Sequence, residues 1–246
     1  MCNYRQLLRF QNEDLILANA TAPLQSAAAA TTDIPILGTS VTDYATALDI
    51  SGWSGTTGRN ISGTSDLAPL SEQAAMLNEL FPDAKNVGLL YCSAEANSQY
   101  QIDVIKEELE KLNYTCTAYS FVDSNDIASV VQSAVNDNDV LYIPTDNTAA
   151  SNTEVINNIA GEAGVPIIAG EAGICKGCGV ATLSISYYDL GYQTGKMAYE
   201  ILVNGADPST MEVEFAPAVT KQYNPDICEK LGITVPDDYE ALDMSE

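Results

Sequence analysis

The sequence contains no histidine, and only 10 lysines and arginines stand against 34 aspartates and glutamates. Without histidine, the commonest general base and a leading ligand of transition metals are both missing. The shortage of bases leaves a formal charge of −24. An excess of that sign repels nucleic acid and anionic lipid and slows capture of an anionic solute, whereas a zwitterion or cation meets no such penalty. No stretch approaches the roughly 20 apolar residues of a membrane helix. Residues 1–20 also lack a signal peptide's layout: Arg5 and Arg9 are there, but no sustained apolar core accompanies them, and Cys2 directly follows Met1. The chain as given is expected to carry no export address. Six cysteines, at 2, 92, 116, 175, 178 and 228, are too few and too scattered to staple 246 residues. Cys92 and Cys116 fall on predicted strands, where a thiol serves as a small hydrophobe. Cys175-Lys176-Gly177-Cys178 is a lone CxxC, expected in a loop, with no second pair or histidine to complete a zinc site. Neither a metal nor a cofactor is expected.

What is present is a series of five short apolar runs, each giving way to a small polar cluster. They are DLILANATA (14–22), PILGTSVTD (34–43), VGLLYCSAEANS (87–98), VLYIPTDNT (140–148) and VPIIAGEAGI (165–174). Four of the five lead at once into a plausible helix. Strands of a parallel sheet behave this way when their C-terminal ends collect ligand-binding loops. The groups delivered there are acids, hydroxyls and amides, which favours a binding cleft over a catalytic centre.

From residue 70 the pattern is a regular β/α series. A helix is predicted from Ser71, with Leu77, Leu80 and Phe81 on one side and Pro82-Asp83 as its end. Strand 86–92 follows, then helix 98–112, in which Ile102, Ile105, Leu109 and Leu112 form one stripe. Next come strand 115–121 and a helix capped by Ser124, with Ile127, Val130, Val131, Ala134 and Val135 on its buried face. Strand 139–143, helix 148–161 and strand 165–169 complete the series. NISGTSDL (60–67) and GVATLSIS (179–186) read as extended crossing segments. Helix 187–202 is expected to bury Leu190, Met197 and Ile201, with Gly191 and Gly195 permitting close backbone approach, and a short helix is expected near 225–231. The architecture expected is α/β with two lobes. Residues 1–65 and 187–215 form a partial N-terminal lobe, 66–183 and 216–246 the C-terminal lobe, and crossings lie near 60–67, 179–186 and 214–222. The smaller lobe, with two well-formed strands in its first half, is expected to be incomplete. Asp14–Asn19 would then be a strand without its usual neighbour, leaving Leu15, Ile16 or Leu17 poorly covered and open to self-association.

Several polar groups are candidates for ligand contact. Asn97 or Ser98 can cap the helix after strand 86–92, whose free N–H groups would accept a carboxylate. Asp146 lies beyond a proline-stiffened strand end, where it could meet an ammonium or form a cap, and Asn147 can donate and accept together. Glu171 is bracketed by Gly170 and Gly173. Thr21 precedes Pro23 at a helix start, and Ser40 and Asp43 belong to a hydroxyl-rich cluster behind a strand.

NISGTSDL, YCSAEANS, YIPTDNTAAS, AGEAG and SYYDLGYQTGKMA occur in order, and with them the chain resembles the substrate-binding proteins of ABC transporters. The resemblance is to the tryptophan/tyrosine-binding lipoprotein branch and runs from about residue 13 to 240. It implies a periplasmic-binding-protein-like fold of two α/β lobes with a ligand clamped between them. It also implies capture outside the membrane, by a cell-surface lipoprotein or in the periplasm, and delivery to a membrane permease driven by an ATPase. By motif it implies Asn97, Ser98, Asp146, Asn147 and Glu171 as ligand contacts, with Thr21, Ser40 and Asp43 from the opposing lobe. Three departures are expected: the family's first two β/α units, usually preceded by a lipoprotein signal, are not expected in the sequence as given, Ser186 replaces a usual aspartate, and Cys175 and Cys178 replace small or apolar residues.

A free amino acid fits this chemistry. Its carboxylate would face Asn97 and Ser98, and its ammonium one or more of Asp146, Glu171 and Asp43. Tyr44, Tyr187 and Tyr188 are available as apolar walls or as core. The family makes tryptophan, tyrosine or phenylalanine the leading solutes, expected to bind a full-length form and to bind this chain weakly or not at all. A sugar- or nucleoside-binding protein of the same fold is the alternative. A racemase using Cys92 and Cys175 ranks last, because an acidic pocket opposes thiolate formation.

Overall fold

The computed structural model describes residues 13–245; Cys2, Arg5, Arg9 and the rest of the first twelve residues of the expected small lobe lie outside them. The chain divides into two compact units, Met1–Leu67 with Ser186–Ala218, and Ala68–Ile185 with Val219–Glu246.

The first unit is built on a parallel sheet ordered β1-β2-β3-β9, comprising β1 (Ile16–Asn19), β2 (Ile36–Val41), β3 (Ile61–Ser65) and β9 (Glu214–Phe215). Segment 60–67 thus contributes a third strand to this sheet, beyond the two expected. Helices α1 (Thr21–Ala30) and α2 (Tyr44–Leu48) cover one face, where Leu24, Ala27, Ile36, Tyr44, Leu48 and Ile61 form the core. The other face packs Leu37 against Met197 and Ile201 of α9 (Tyr187–Leu202). Leu190, Met197 and Ile201 are buried as their spacing predicts. The expected role of Gly191 and Gly195 is not borne out: a Cβ at either would meet nothing within 4 Å. They lie away from the Leu190/Met197/Ile201 stripe, so no backbone presses on them. Close approach occurs instead at Gly63, where φ is +148° and a Cβ would stand 2.0 Å from the Gly38 carbonyl oxygen. Among the described residues β1 stands at the end of this sheet, and Leu17 on it is 61 % exposed.

The second unit has a seven-stranded sheet ordered β11-β10-β8-β7-β6-β4-β5. Its strands are β4 (Asn86–Cys92), β5 (Thr115–Phe121), β6 (Val140–Ile143), β7 (Ile167–Ala169), β8 (Ala181–Ile185), β10 (Val219–Tyr223) and β11 (Glu240–Ala241). β4, β6 and β7 are parallel neighbours, as the β/α series requires, while β10 runs antiparallel to β8. Its helices are α3 (Leu70–Leu80), α4 (Ala96–Lys111), α5 (Ile127–Asp137), α6 (Asn147–Ala150), α7 (Thr153–Ala163), α8 (Ala172–Cys178) and α10 (Pro225–Leu231). Ile127, Val131, Ala134 and Val135 of α5 are buried. Each of the larger three stabilises the unit by about 1.5–3 kcal/mol.

Local turn chemistry moves three boundaries. Ser124 does not cap α5, because the Asp123 carboxylate accepts from the Asn125 N–H in a tight turn and the helix starts later, with Asp126 at its N-cap position. The helix expected over 148–161 is two, since α6 ends at Ala150 and Asn152 opens α7. The CxxC lies on helix α8 rather than in a loop, with Cys175 and Cys178 both buried in the core. Among the described residues, no helix is long and apolar enough to cross a membrane.

Candidate functional site

In the second unit the polar loops converge at the C-terminal ends of β4, β6 and β7. Neither Asn97 nor Ser98 caps α4: the helix begins at Ala96, two residues earlier than expected, because the Glu95 carbonyl already accepts from the N–H groups of Ser98 and Gln99. Both side chains lie buried in the first turn. Asn97 Nδ2 donates to the Thr145 carbonyl at 3.1 Å. Gln101 reinforces the same junction, its Nε2 donating to the Thr145 carbonyl at 3.0 Å and its Oε1 accepting from the Thr145 N–H at 3.0 Å. The start of α4 is therefore tied to the end of β6 by two amide side chains.

Asp146 is 1 % exposed and caps α6. Its carboxylate accepts from the N–H of Ala149 at 2.8 Å and of Cys92 at 2.7 Å, and from the Ser98 hydroxyl. Burial and the neighbouring Glu95 charge raise its pKa above the usual carboxylate range, against the pull of those donors. Glu95 takes Asn147 and Thr148 from the next loop. It accepts from the Asn147 N–H at 3.1 Å and Nδ2 at 2.8 Å, and from the Thr148 N–H at 2.9 Å and hydroxyl at 2.7 Å. Burial alone would raise its pKa, but the Thr148 and Asn147 donors outweigh it and hold the carboxyl below its ordinary value. Sequence reasoning missed Glu95, whose partners lie 52 and 53 positions downstream. The only local signal was an acid directly before a helix.

Glu171 caps α8, accepting from the N–H groups of Gly173 at 2.6 Å and of Ile174. Burial raises its pKa, and the two N–H donors oppose the rise. The loop must approach β6 closely: a Cβ on Gly170 would stand 2.6 Å from the Thr145 nitrogen. The Gly170 carbonyl accepts from Gln73 Nε2 and the Thr145 hydroxyl, and the Tyr142 hydroxyl donates to Gln73. Asn97, Ser98, Asp146 and Asn147 thus form one bonded cluster, with Glu171 joined to it through Gly170 and Thr145.

In the first unit Thr21, Ser40 and Asp43 occupy the corresponding strand ends. Thr21 is the buried first residue of α1 and follows Ala20 at φ 79°, with no side chain capping the helix. Ser40 has φ 53°, within an irregularity of β2 between Gly38 and Val41. Asp43 caps α2 by accepting from the Thr46 N–H at 2.7 Å. Tyr44 is core rather than a ligand wall: it is 1 % exposed and its hydroxyl donates to the Thr64 carbonyl at 3.2 Å. Tyr188 is 81 % exposed, and the Tyr187 hydroxyl donates to Asp66 Oδ2 at 3.3 Å. Ser186, standing where an aspartate is usual, still performs a capping task by accepting from the Asp189 N–H.

All four of these acids (Asp43, Glu95, Asp146, Glu171) stand at N-cap positions, and backbone N–H donors fix three of them by capping their own helices. A carboxylate offers about four lone-pair sites, so one held by two internal donors still has capacity for a ligand N–H. Chemistry is poorly served. Cys92 and Cys175 pack in the same apolar core. Burial, then the nearby Cys178, Cys228 and Glu171, push the Cys175 thiol well above its ordinary pKa, which disfavours a thiolate. Among the described residues, no group of three or more cysteines, aspartates or glutamates is arranged to hold a metal ion.

Parallel β/α units with capped carboxylates at their strand ends are the frame of a ligand-binding α/β protein. The chain belongs to the ABC transporter substrate binding protein family, which it matches over residues 1–243. It is 36 % identical over 190 residues to the tyrosine-binding protein of Clostridioides difficile strain R20291, a match covering 77 % of this chain and 55 % of that protein. The chain therefore spans about half the length of that relative. It is also similar to a Streptococcus pneumonia ABC domain solved with L-Trp, at 30 % identity and TM-score 0.90 over 97 % of this chain and 84 % of the other. A ligand-free, open substrate-binding protein with adhesive properties from Clostridium difficile aligns at 34 % identity and TM-score 0.74, covering 98 % and 82 %. These likenesses establish the periplasmic-binding-protein-like α/β fold, and the family is one of non-catalytic solute-binding proteins. A glucose-galactose binding protein from Geobacillus stearothermophilus, at 14 % identity and TM-score 0.57, shares the fold alone.

Proposed function

We propose that this protein is the solute-binding component of an ABC uptake system and that its solute is a free aromatic amino acid. The observation that carries the reading is the pairing of a similar L-Trp complex with a similar tyrosine-binding protein, both above the identity at which likeness means only shared fold. The chain's own chemistry agrees. α4 is sixteen residues long and carries no acid in its first turn. With Glu95 at its N-cap position, its first N–H groups would still meet the solute's carboxylate beside Asn97 and Ser98. Glu171 is the acid best suited to the ammonium, being fixed by two N–H donors and half-buried where Asp146 is buried. Asp146 and Asn147 set the first turn of α6, and Thr21, Ser40 and Asp43 contribute from the first unit. Delivery would be to a membrane permease driven by an ATPase, with capture on the extracytoplasmic side.

Equilibrium dialysis of the purified chain against labelled L-Trp, with unlabelled competitors, tests the proposal. L-Tyr and L-Phe should displace the label and L-Ala and glucose should not. Displacement by a hexose in preference to all three aromatic amino acids would reject it.

A further inference from the structure

We propose that Gln73, oriented by Tyr142, is a positioning residue for solute binding: it sets the peptide that carries Glu171. The inference rests on the reading of Glu171 as the ammonium contact. Gln73 interrupts an otherwise apolar stripe. Leu70, Gln73, Ala74 and Leu77 recur at the three- and four-residue spacing of one face of α3, and all four are buried. Gln73 itself is 1 % exposed. Burying an amide is costly unless its groups are paired, and an aliphatic side chain would serve the packing of α3 without that cost. This amide is paired at both ends. Its Nε2 donates to the Gly170 carbonyl at 3.3 Å, and its Oε1 accepts from the Tyr142 hydroxyl.

The partners dictate which way the amide faces. A backbone carbonyl can only accept, so Nε2 must point to Gly170, and Oε1 is left to Tyr142. Tyr142 is fully buried on β6, and burial pushes its pKa up, which keeps the hydroxyl a donor. What the amide holds is the link into the Glu171 cap. The Gly170 carbonyl and the Glu171 N–H belong to one planar peptide, so fixing the carbonyl fixes the plane from which the Glu171 side chain departs. Glycine restricts its own backbone least of all residues, yet nothing larger fits at position 170 against the Thr145 nitrogen. Outside groups must therefore supply the restraint. The Gly170 N–H donates to the Ile143 carbonyl at 2.7 Å, and the Thr145 hydroxyl adds a bond of 3.4 Å to the carbonyl that Gln73 holds. Past that peptide, the Gly173 and Ile174 N–H groups fix the carboxylate. Gln73 thus sets the upstream side of an acid whose downstream side is set by α8, and it acts through Glu171 rather than on the solute.

Gln73→Met, Tyr142→Phe and the double variant of the whole chain test the proposal in two arms. In amide hydrogen exchange, Gly173 and Ile174, the donors to Glu171, should exchange about tenfold faster in Gln73→Met, while Val131 of α5 keeps its wild-type rate. Tyr142→Phe should give a smaller change of the same kind and add nothing in the Gln73→Met background, because it acts through the amide. In calorimetric titration, Gln73→Met should cut the preference for L-tryptophan over indole-3-propionate, which lacks the ammonium, by about tenfold. Affinity for indole-3-propionate should stay at its wild-type value. An amide that only supports packing would instead weaken both compounds alike and speed exchange throughout the unit. That result would overturn the proposal, as would unchanged exchange at Gly173 and Ile174, or full additivity in the double variant. The exchange arm needs no solute, so it decides the positioning role even where the assignment of an aromatic amino acid fails.

Discussion

Replacing Asp146 by alanine should destabilise the second unit well before it tells anything about ligand. The carboxylate is 1 % exposed and satisfies the N–H groups of Cys92 and Ala149 at 2.7 and 2.8 Å. Alanine leaves both donors without their acceptor, each costing about 1–3 kcal/mol when buried. A large offset is built in, because the ionised carboxylate is itself unfavourably buried beside Glu95. The net loss should be about 2–4 kcal/mol at neutral pH, a fall of about 5–15 °C in the melting of this unit. Asp146→Asn keeps the shape and one acceptor, so it should lose about half as much. The pH dependence carries a definite sign. Asp146 has a raised pKa in the fold, so the native state holds its proton more tightly than the unfolded chain does. Stability from this group falls as pH rises through the folded value, and Asp146→Asn should remove that slope. Thermal melts by circular dichroism across acid to neutral pH supply the readout. An alanine variant melting within a degree of wild type, with an unchanged pH slope, would refute the reasoning.

Glu171 also has a raised pKa, so protonation from above the usual carboxylate range near 4 should weaken tryptophan binding as pH falls, and Glu171→Gln should bind weakly with that slope flattened; titrations at several pH values decide it. Gly170→Ala should cost about 1–3 kcal/mol from overpacking against the Thr145 nitrogen, read as a lower urea midpoint. Incubation with L- or D-tryptophan followed by chiral chromatography should reveal no inversion, since Cys175 is held as a thiol within the core.

Periodicity located the elements whose burial is local. Strands 86–92 and 115–121 and the helix at 225–231 match their predicted bounds, because short runs between turn residues are written in adjacent positions. The failures have physical causes outside such windows. At Asp123 a side-chain-to-backbone bond competed with the helix, and at residues 151–152 one helix closed and another opened. Gly191 and Gly195 implied contact through their size, but their face of α9 is solvent-facing. The proposed polar residues of the second unit were legible as strand-end clusters. Their bonding was not, since Glu95, Gln73 and Gln101 find partners 44 to 97 positions away. A long side chain on a helix gives no local sign of which carbonyl it will reach.

Calorimetric titration of the chain with L-tryptophan, tryptamine and indole-3-propionate tests most directly whether both ends of an amino acid are recognised. The first has both charges, the second lacks the carboxylate and the third lacks the ammonium. Loss of a charge-assisted hydrogen bond worth about 1.5–3 kcal/mol should weaken each analogue by roughly tenfold to more than a hundredfold. Binding of either analogue as tightly as tryptophan would contradict the assignment.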